Sequence, residues 1–101
     1  MKQYTTPKQT AKLIELGFEY YKCEIEEKSE WSYEWRKETF TIGQLLEMLP
    51  PRYKHEDLEI NRDWGFGRWL VFYRGDETTA ATELIDALYA MVVKLKEKGV
   101  I

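Results

Sequence analysis

Residues 58–74 read LEINRDWGFGRWLVFYR, two apolar-rich runs separated by Gly65-Phe66-Gly67. Glycines permit the positive φ values of a tight connection, so the stretch predicts a β-hairpin with strands at 58–64 and 68–74. In the second strand Leu70 and Phe72 point one way, while Trp69, Val71 and Tyr73 point the other. A strand apolar on both faces is expected at the centre of a sheet, covered on both sides. Leu70 and Phe72, joined by Leu58 and Ile60, make a natural helix-covered face on this reading. Trp69, Val71 and Tyr73 fall to the opposite face.

Downstream of the hairpin, Ala81, Leu84, Ile85, Leu88, Met91, Val92 and Leu95 follow the i, i+3, i+4, i+7 rule over about five turns. A long C-terminal amphipathic helix is expected there. Asp76 and Glu77 stand near its predicted start, Lys94, Lys96 and Lys98 near its end, and Gly99 closes it. Upstream, Thr41-Ile42-Gly43-Gln44 has the capping-box spacing, with Phe40 and Leu45 placed as a hydrophobic staple. A short helix should run from there until Pro50-Pro51 stops it.

Further upstream the period changes to two. Tyr21, Cys23 and Ile25 share one face, and Trp31, Tyr33 and Trp35 share another, which predicts two strands joined by Glu27-Lys28-Ser29-Glu30. The first of them, FEYYKCEIEE (18–27), also suits a helix, because Glu and Lys propagate helices well. Thr6-Pro7-Lys8-Gln9 is a second capping box with proline at the first helical position, so a helix from Pro7 to Leu16 is expected, ended by Gly17. The order is α-β-β-α-β-β-α. It predicts an α+β fold of three helices and about four mostly antiparallel strands in two hairpins, forming a single domain over residues 1–101.

Composition narrows the function classes. Apolar residues make up 44% of the 101, aromatic residues 15% and charged residues 33%, the profile of a globular chain. A net charge of −3 and a pI near 5.2 have the wrong sign for holding a phosphate backbone by long-range attraction. No apolar run reaches the ~20 residues needed to span a bilayer, and MKQYTTPKQT lacks the apolar region of a secretory signal. A cytoplasmic protein with no membrane partner is the expectation. Cys23 is the only cysteine and His55 the only histidine, which leaves no internal disulfide and no usual transition-metal set. No cofactor and no small-molecule substrate are inferred.

Two strings carry a resemblance. FTIGQLLEMLP (40–50) and ELIDALYAMVVKLKEKGVI (83–101), together under a third of the chain, resemble segments of small uncharacterised proteins encoded in prophages and mobile elements of gut bacteria. The resemblance implies a bacterial or phage origin and a cytoplasmic setting. It brings no activity with it.

The residues able to do chemistry have plainer explanations. His55, in the polar run Arg52-Tyr53-Lys54-His55-Glu56-Asp57, has no nucleophile or oxyanion loop beside it. Glu24, Glu26, Glu27, Glu30, Glu34 and Glu38 fit solvated positions better than a paired acid and base. Cys23 fits a small buried hydrophobe. No catalytic residue is assigned, and an enzyme is not expected.

Binding is the better prospect. Arg52, Lys54, Arg62, Arg68 and Arg74 interleave with Tyr53, Trp64, Phe66, Trp69 and Tyr73, which could stack bases and hold phosphates. Four carboxylates in the same span leave a surplus of only one positive charge, so nucleic acid is the alternative rather than the first expectation. Trp31, Tyr33 and Trp35 either pack beneath a helix as core, with Leu58, Ile60, Leu70 and Phe72 then divided between the two faces, or form an open aromatic face together with Trp69. Tyr, Trp and Arg are enriched at interface hot spots. The expected function is therefore a non-enzymatic protein–protein interaction module, an adaptor, modulator or homo-oligomer, with contacts at Trp31, Tyr33, Trp35, Arg36, Arg68 and Trp69.

Overall fold

Two threonines start two helices in the computed structural model, which describes residues 2–18, 24–26 and 37–101. Helix α1 spans Pro7–Glu15 and α2 spans Ile42–Met48. At each N-terminus the threonine hydroxyl accepts the N–H three residues on, and the glutamine there returns a bond to the threonine N–H. Both capping boxes are thus formed as the spacing predicts. Phe40 and Leu45, the expected staple around the second cap, are fully buried.

The remaining elements are β1 (Glu24–Glu26), β2 (Lys37–Thr39), β3 (Arg52–Tyr53), β4 (Glu56–Asp63), β5 (Arg68–Tyr73), β6 (Glu77–Ala81) and α3 (Leu84–Glu97). β1 and β2 pair antiparallel with Ile25 opposite Glu38. β3, β4, β5 and β6 form a four-stranded antiparallel sheet in that order. The fold is α+β, with three helices and the long helix at the C-terminal end. The segment at 18–27 is extended where it is described, at β1; Cys23, Trp31, Tyr33, Trp35 and Arg36 lie outside the described residues.

Sequence periodicity misplaces one strand. Residues 77–81 form β6, whereas Ala81 fits the helical pattern only by its spacing to Leu84, Ile85 and Leu88. Arg74-Gly75-Asp76 is a three-residue hairpin loop in which Gly75 has φ +77° and the Asp76 N–H donates to the Tyr73 carbonyl. Asp76 and Glu77 therefore do not sit at the start of α3. Glu77 instead turns inward, only 8% exposed, and pairs with Lys94 at 3.2 Å and with Lys98. The hydrogen bond from Lys98, with support from Lys94, holds its carboxyl below the usual glutamate value despite burial.

The polar run Arg52–Asp57 is likewise a hairpin and not an open connection. Tyr53 pairs with Glu56 across the two residues Lys54 and His55, whose φ values of 50° and 69° are those of a primed turn. His55 serves as a turn residue, in the connection where the sequence places it.

In the central hairpin the register overturns the reading that joins Leu58 and Ile60 to Leu70 and Phe72, and agrees with the alternative that divides these four between the two faces. Leu58 pairs with Tyr73 and Ile60 with Val71, so these four share one face; Trp69 and Arg62 are paired on that face as well. Helix α3 packs on β5 and β6 from this side. Val71 and Tyr73 are buried against α3 residues Leu84, Ile85, Leu88, Met91, Val92 and Leu95, and Tyr73 sends its hydroxyl to the Pro50 carbonyl at 2.6 Å. Leu70 and Phe72 lie on the other face between Asn61 and Ala80, and between Glu59 and Thr78. They are half-buried there and do not join the core. Face assignment from alternation fails because both sets are apolar; only the register decides which set meets the helix.

Helix α2 packs against α3, and Leu13 of α1 enters the same core. Lys2 and Gln9 both donate to Asp86, at 2.7 and 2.8 Å, fastening the N-terminal segment and α1 to the first turn of α3. Burial alone would raise the Asp86 carboxyl, but these bonds and the Lys2 charge outweigh it and leave it below its usual range.

Candidate functional site

The β4–β5 connection projects the two most exposed large rings among the described residues. Asp63 and Arg68 are the last paired residues, and Trp64-Gly65-Phe66-Gly67 spans them. Gly67 takes φ +63°, which a side chain would resist, and so lets a four-residue loop close. Asp63 braces the loop twice: one carboxylate oxygen accepts the Arg68 Nε–H at 3.2 Å and the other accepts the Phe66 N–H at 3.4 Å. The result is a defined turn carrying Trp64 at 81% exposure and Phe66 at 77%.

Each ring is held by a guanidinium. Arg62 lies over Trp64 with 5.0 Å from its Cζ to the ring centroid, and over Trp69 at 5.1 Å. Arg68 lies over Phe66 at 4.9 Å. Cation–π contacts of this kind contribute about 0.5–1 kcal/mol when exposed and about 2 when desolvated. Alternation explains the arrangement: Arg62 and Trp69 share the helix-side face, while Asp63 and Arg68 share the other. The tip is therefore stacked on both sides, and the surfaces of Trp64 and Phe66 turned away from the arginines meet solvent.

Of the contact residues predicted from sequence, Arg68 and Trp69 are adjacent in β5 and so face opposite ways. Trp69 is half-buried beneath Arg62 and packs against the core; Arg68 stands on the other face with Asp63 and Phe66. Trp31, Tyr33, Trp35 and Arg36 lie outside the described residues. Trp64 and Phe66, named from sequence only as stacking residues of the nucleic-acid alternative, are the exposed rings of this site. Their signal was present in DWGFGR, because a large ring on a glycine-flanked turn has no strand face on which to be buried.

Charge on the sheet is largely self-neutralised. Arg52 pairs with Asp57 at 3.0 Å, Arg68 with Asp63 at 3.2 Å and Arg74 with Glu59 at 3.2 Å. Among the described residues, Arg62 is the arginine with no carboxylate partner, and its Nε is buried without a hydrogen bond. Such a surface has little positive field to offer a polyanion. The same pairs account for the small charge surplus read from sequence.

No group of three or more His, Cys, Asp or Glu side chains able to hold a metal occurs among the described residues, and no helix among them is long and apolar enough to cross a membrane. The chain matches no protein-family model, no curated protein and no solved structure.

Proposed function

We propose that this chain is a non-enzymatic protein–protein interaction module, an adaptor or modulator of a bacterial prophage or mobile element that acts in the cytoplasm. Its contact surface is the β4–β5 tip. The observation that carries this reading is the pair of rings, Trp64 and Phe66, more than three-quarters exposed yet held on a braced turn. A buried ring needs no partner, whereas an exposed ring on an ordered turn gains its burial only on contact. Trp and Arg are also the side chains most often found to dominate interface energetics.

Among the described residues, three groups that could perform chemistry have structural tasks. His55 shapes a turn, Glu77 is tied to two lysines, and the Tyr73 hydroxyl is tied to Pro50, its pKa raised to about 12 by burial. Nucleic acid is the second reading, favoured by the stacked rings and opposed by the internal pairing of Arg52, Arg68 and Arg74.

The test is site-specific crosslinking. A photoreactive phenylalanine analogue is placed at Trp64, or as control at exposed Lys8 on α1, and the protein is irradiated in bacterial cells. Discrete protein adducts at position 64 and not at position 8 are expected. Adducts that nuclease removes, or equal yields at the two positions, refute the reading.

A further inference from the structure

Arg62 is the one described arginine left with unmatched charge at the tip, and its surroundings restrict what can match it. Its Cζ lies 5.0 Å from the Trp64 ring centroid and 5.1 Å from that of Trp69, and its hydrogen-bond donors all lie in the plane of the guanidinium. Nε is buried and has no acceptor within the protein. The terminal nitrogens have no carboxylate partner either, although Arg52, Arg68 and Arg74 each have one. An in-plane pair of N–H donors fits the two oxygens of a carboxylate. Loss of bulk solvent beside an indole strengthens that pairing, provided that the acceptor arrives with an apolar surround.

We infer that Arg62 is the anchor for a single carboxylate, an Asp or Glu side chain in an otherwise apolar segment of the partner protein, seated beside the exposed face of Trp64. Charge complementarity selects this occupant. One unmatched cation calls for one anion; Arg52, Arg68 and Arg74 are already matched by Asp57, Asp63 and Glu59, so the sheet's other described arginines offer a ligand carrying many charges no second anchor. A phosphate-bearing chain is disfavoured for that reason. The inference rests on the tip being a protein contact, and it adds the chemistry of what is contacted.

A random dodecapeptide display library, selected on the full chain, supplies the probe. Enriched sequences are expected to share one acidic residue flanked by apolar ones. A synthetic peptide of the enriched sequence is then titrated against the protein by calorimetry, alongside versions with its acidic residue changed to the amide or to phosphoserine. On the parent, the amide version should bind at least ten-fold more weakly. On Arg62→Gln, acid and amide versions should bind alike, and Arg62→Lys, which keeps the charge but not the planar fork, should recover only part of the difference.

Peptides whose binding is lost in Trp64→Ala but is indifferent to Arg62→Gln overturn the carboxylate inference and leave the tip as the contact. Peptides that bind Trp64→Ala and Phe66→Ala as well as they bind the parent overturn the tip itself. Tighter binding of the phosphoserine version, or displacement by a single-stranded oligonucleotide, overturns the carboxylate in favour of phosphate. A library that yields no enriched sequence counts against both readings.

Discussion

Removing Trp64 should cost far less than removing a core tryptophan, and about a third to a half of the loss should disappear once Arg62 is gone. At 81% exposure about a fifth of the ring is covered. For a residue that can bury up to about 250 Å², that is roughly 50 Å², or about 1 kcal/mol at 25 cal/mol per Å². The Arg62 stack at 5.0 Å adds about 0.5–1 kcal/mol, so Trp64→Ala should cost about 1.5–2 kcal/mol. A fully buried tryptophan would cost about 3–5. Arg62→Met retains the aliphatic stem and removes the unpaired buried Nε, whose desolvation offsets part of the loss, so the single substitution should be close to neutral. A double-mutant cycle separates these effects. Urea unfolding of the parent, both single variants and the pair should return a coupling of about 0.5–1 kcal/mol for Arg62 with Trp64. The half-buried Trp69 should return a larger one, up to about 2 kcal/mol. Couplings within about 0.3 kcal/mol of zero for both pairs, or a Trp64→Ala cost of about 3 kcal/mol or more, would refute the stacked tip.

Other consequences are as direct. Glu77 has a lowered folded pKa, so its contribution is present above the ordinary glutamate value of 4.5 and is lost as pH falls through the lowered one. The parent's urea midpoint should therefore fall more steeply than that of Glu77→Gln between pH 5 and the acid limit of folding; parallel curves would remove the ion pair from the stability account. Its partner Lys98 is raised, so its contribution should be lost in the opposite direction, above pH 10.5. Replacing Lys54-His55 by Asn-Gly relieves two side chains at positive φ and should raise stability by about 1 kcal/mol, read as a higher thermal midpoint. Leu88→Ala opens a cavity at a fully buried position and should cost about 2–5 kcal/mol, while Phe66→Ala, at the exposed tip and beneath Arg68, should cost about 1.5–2.

Local signals in this sequence were legible wherever the chemistry is local. The two capping boxes, the glycine at the end of α1 and the apolar stripe of α3 from Leu84 to Leu95 each depend on residues within a few turns and are found as read, whereas the stripe's first position, Ala81, belongs to β6. What escaped depends on partners distant in sequence. β6 consists of Glu-Thr-Thr-Ala-Ala, too small and too polar to show a two-residue alternation, and it exists because β5 supplies its hydrogen bonds and α3 covers its inner side. The β3–β4 turn escaped because Lys and His are uncommon where Asn and Gly are the usual signal. The covered face of β5 was invisible for a third reason: Trp69-Val71-Tyr73 and Leu70-Phe72 are equally apolar, and only pairing with Leu58 and Ile60 distinguishes them.

The same contrast explains why aromatic content drew attention to strands and away from the tip. A ring within a strand has a default use in the core, as Tyr73 shows with its ring buried and its hydroxyl satisfied by Pro50. Trp64 and Phe66 have no such use, yet they are not left loose. Arg62 and Arg68 fix their orientation from one side, and Asp63 fixes the backbone beneath them. Ordering a side chain on association costs about 0.5–1.5 kcal/mol, and here much of that cost falls on folding instead. For two rings the difference is about 1–3 kcal/mol, or about five- to 150-fold in affinity for anything that covers them. Exposed rings ordered in this way contribute less to the stability of the isolated chain than core rings of the same size do, and a surface that covers them meets side chains whose ordering is already in place.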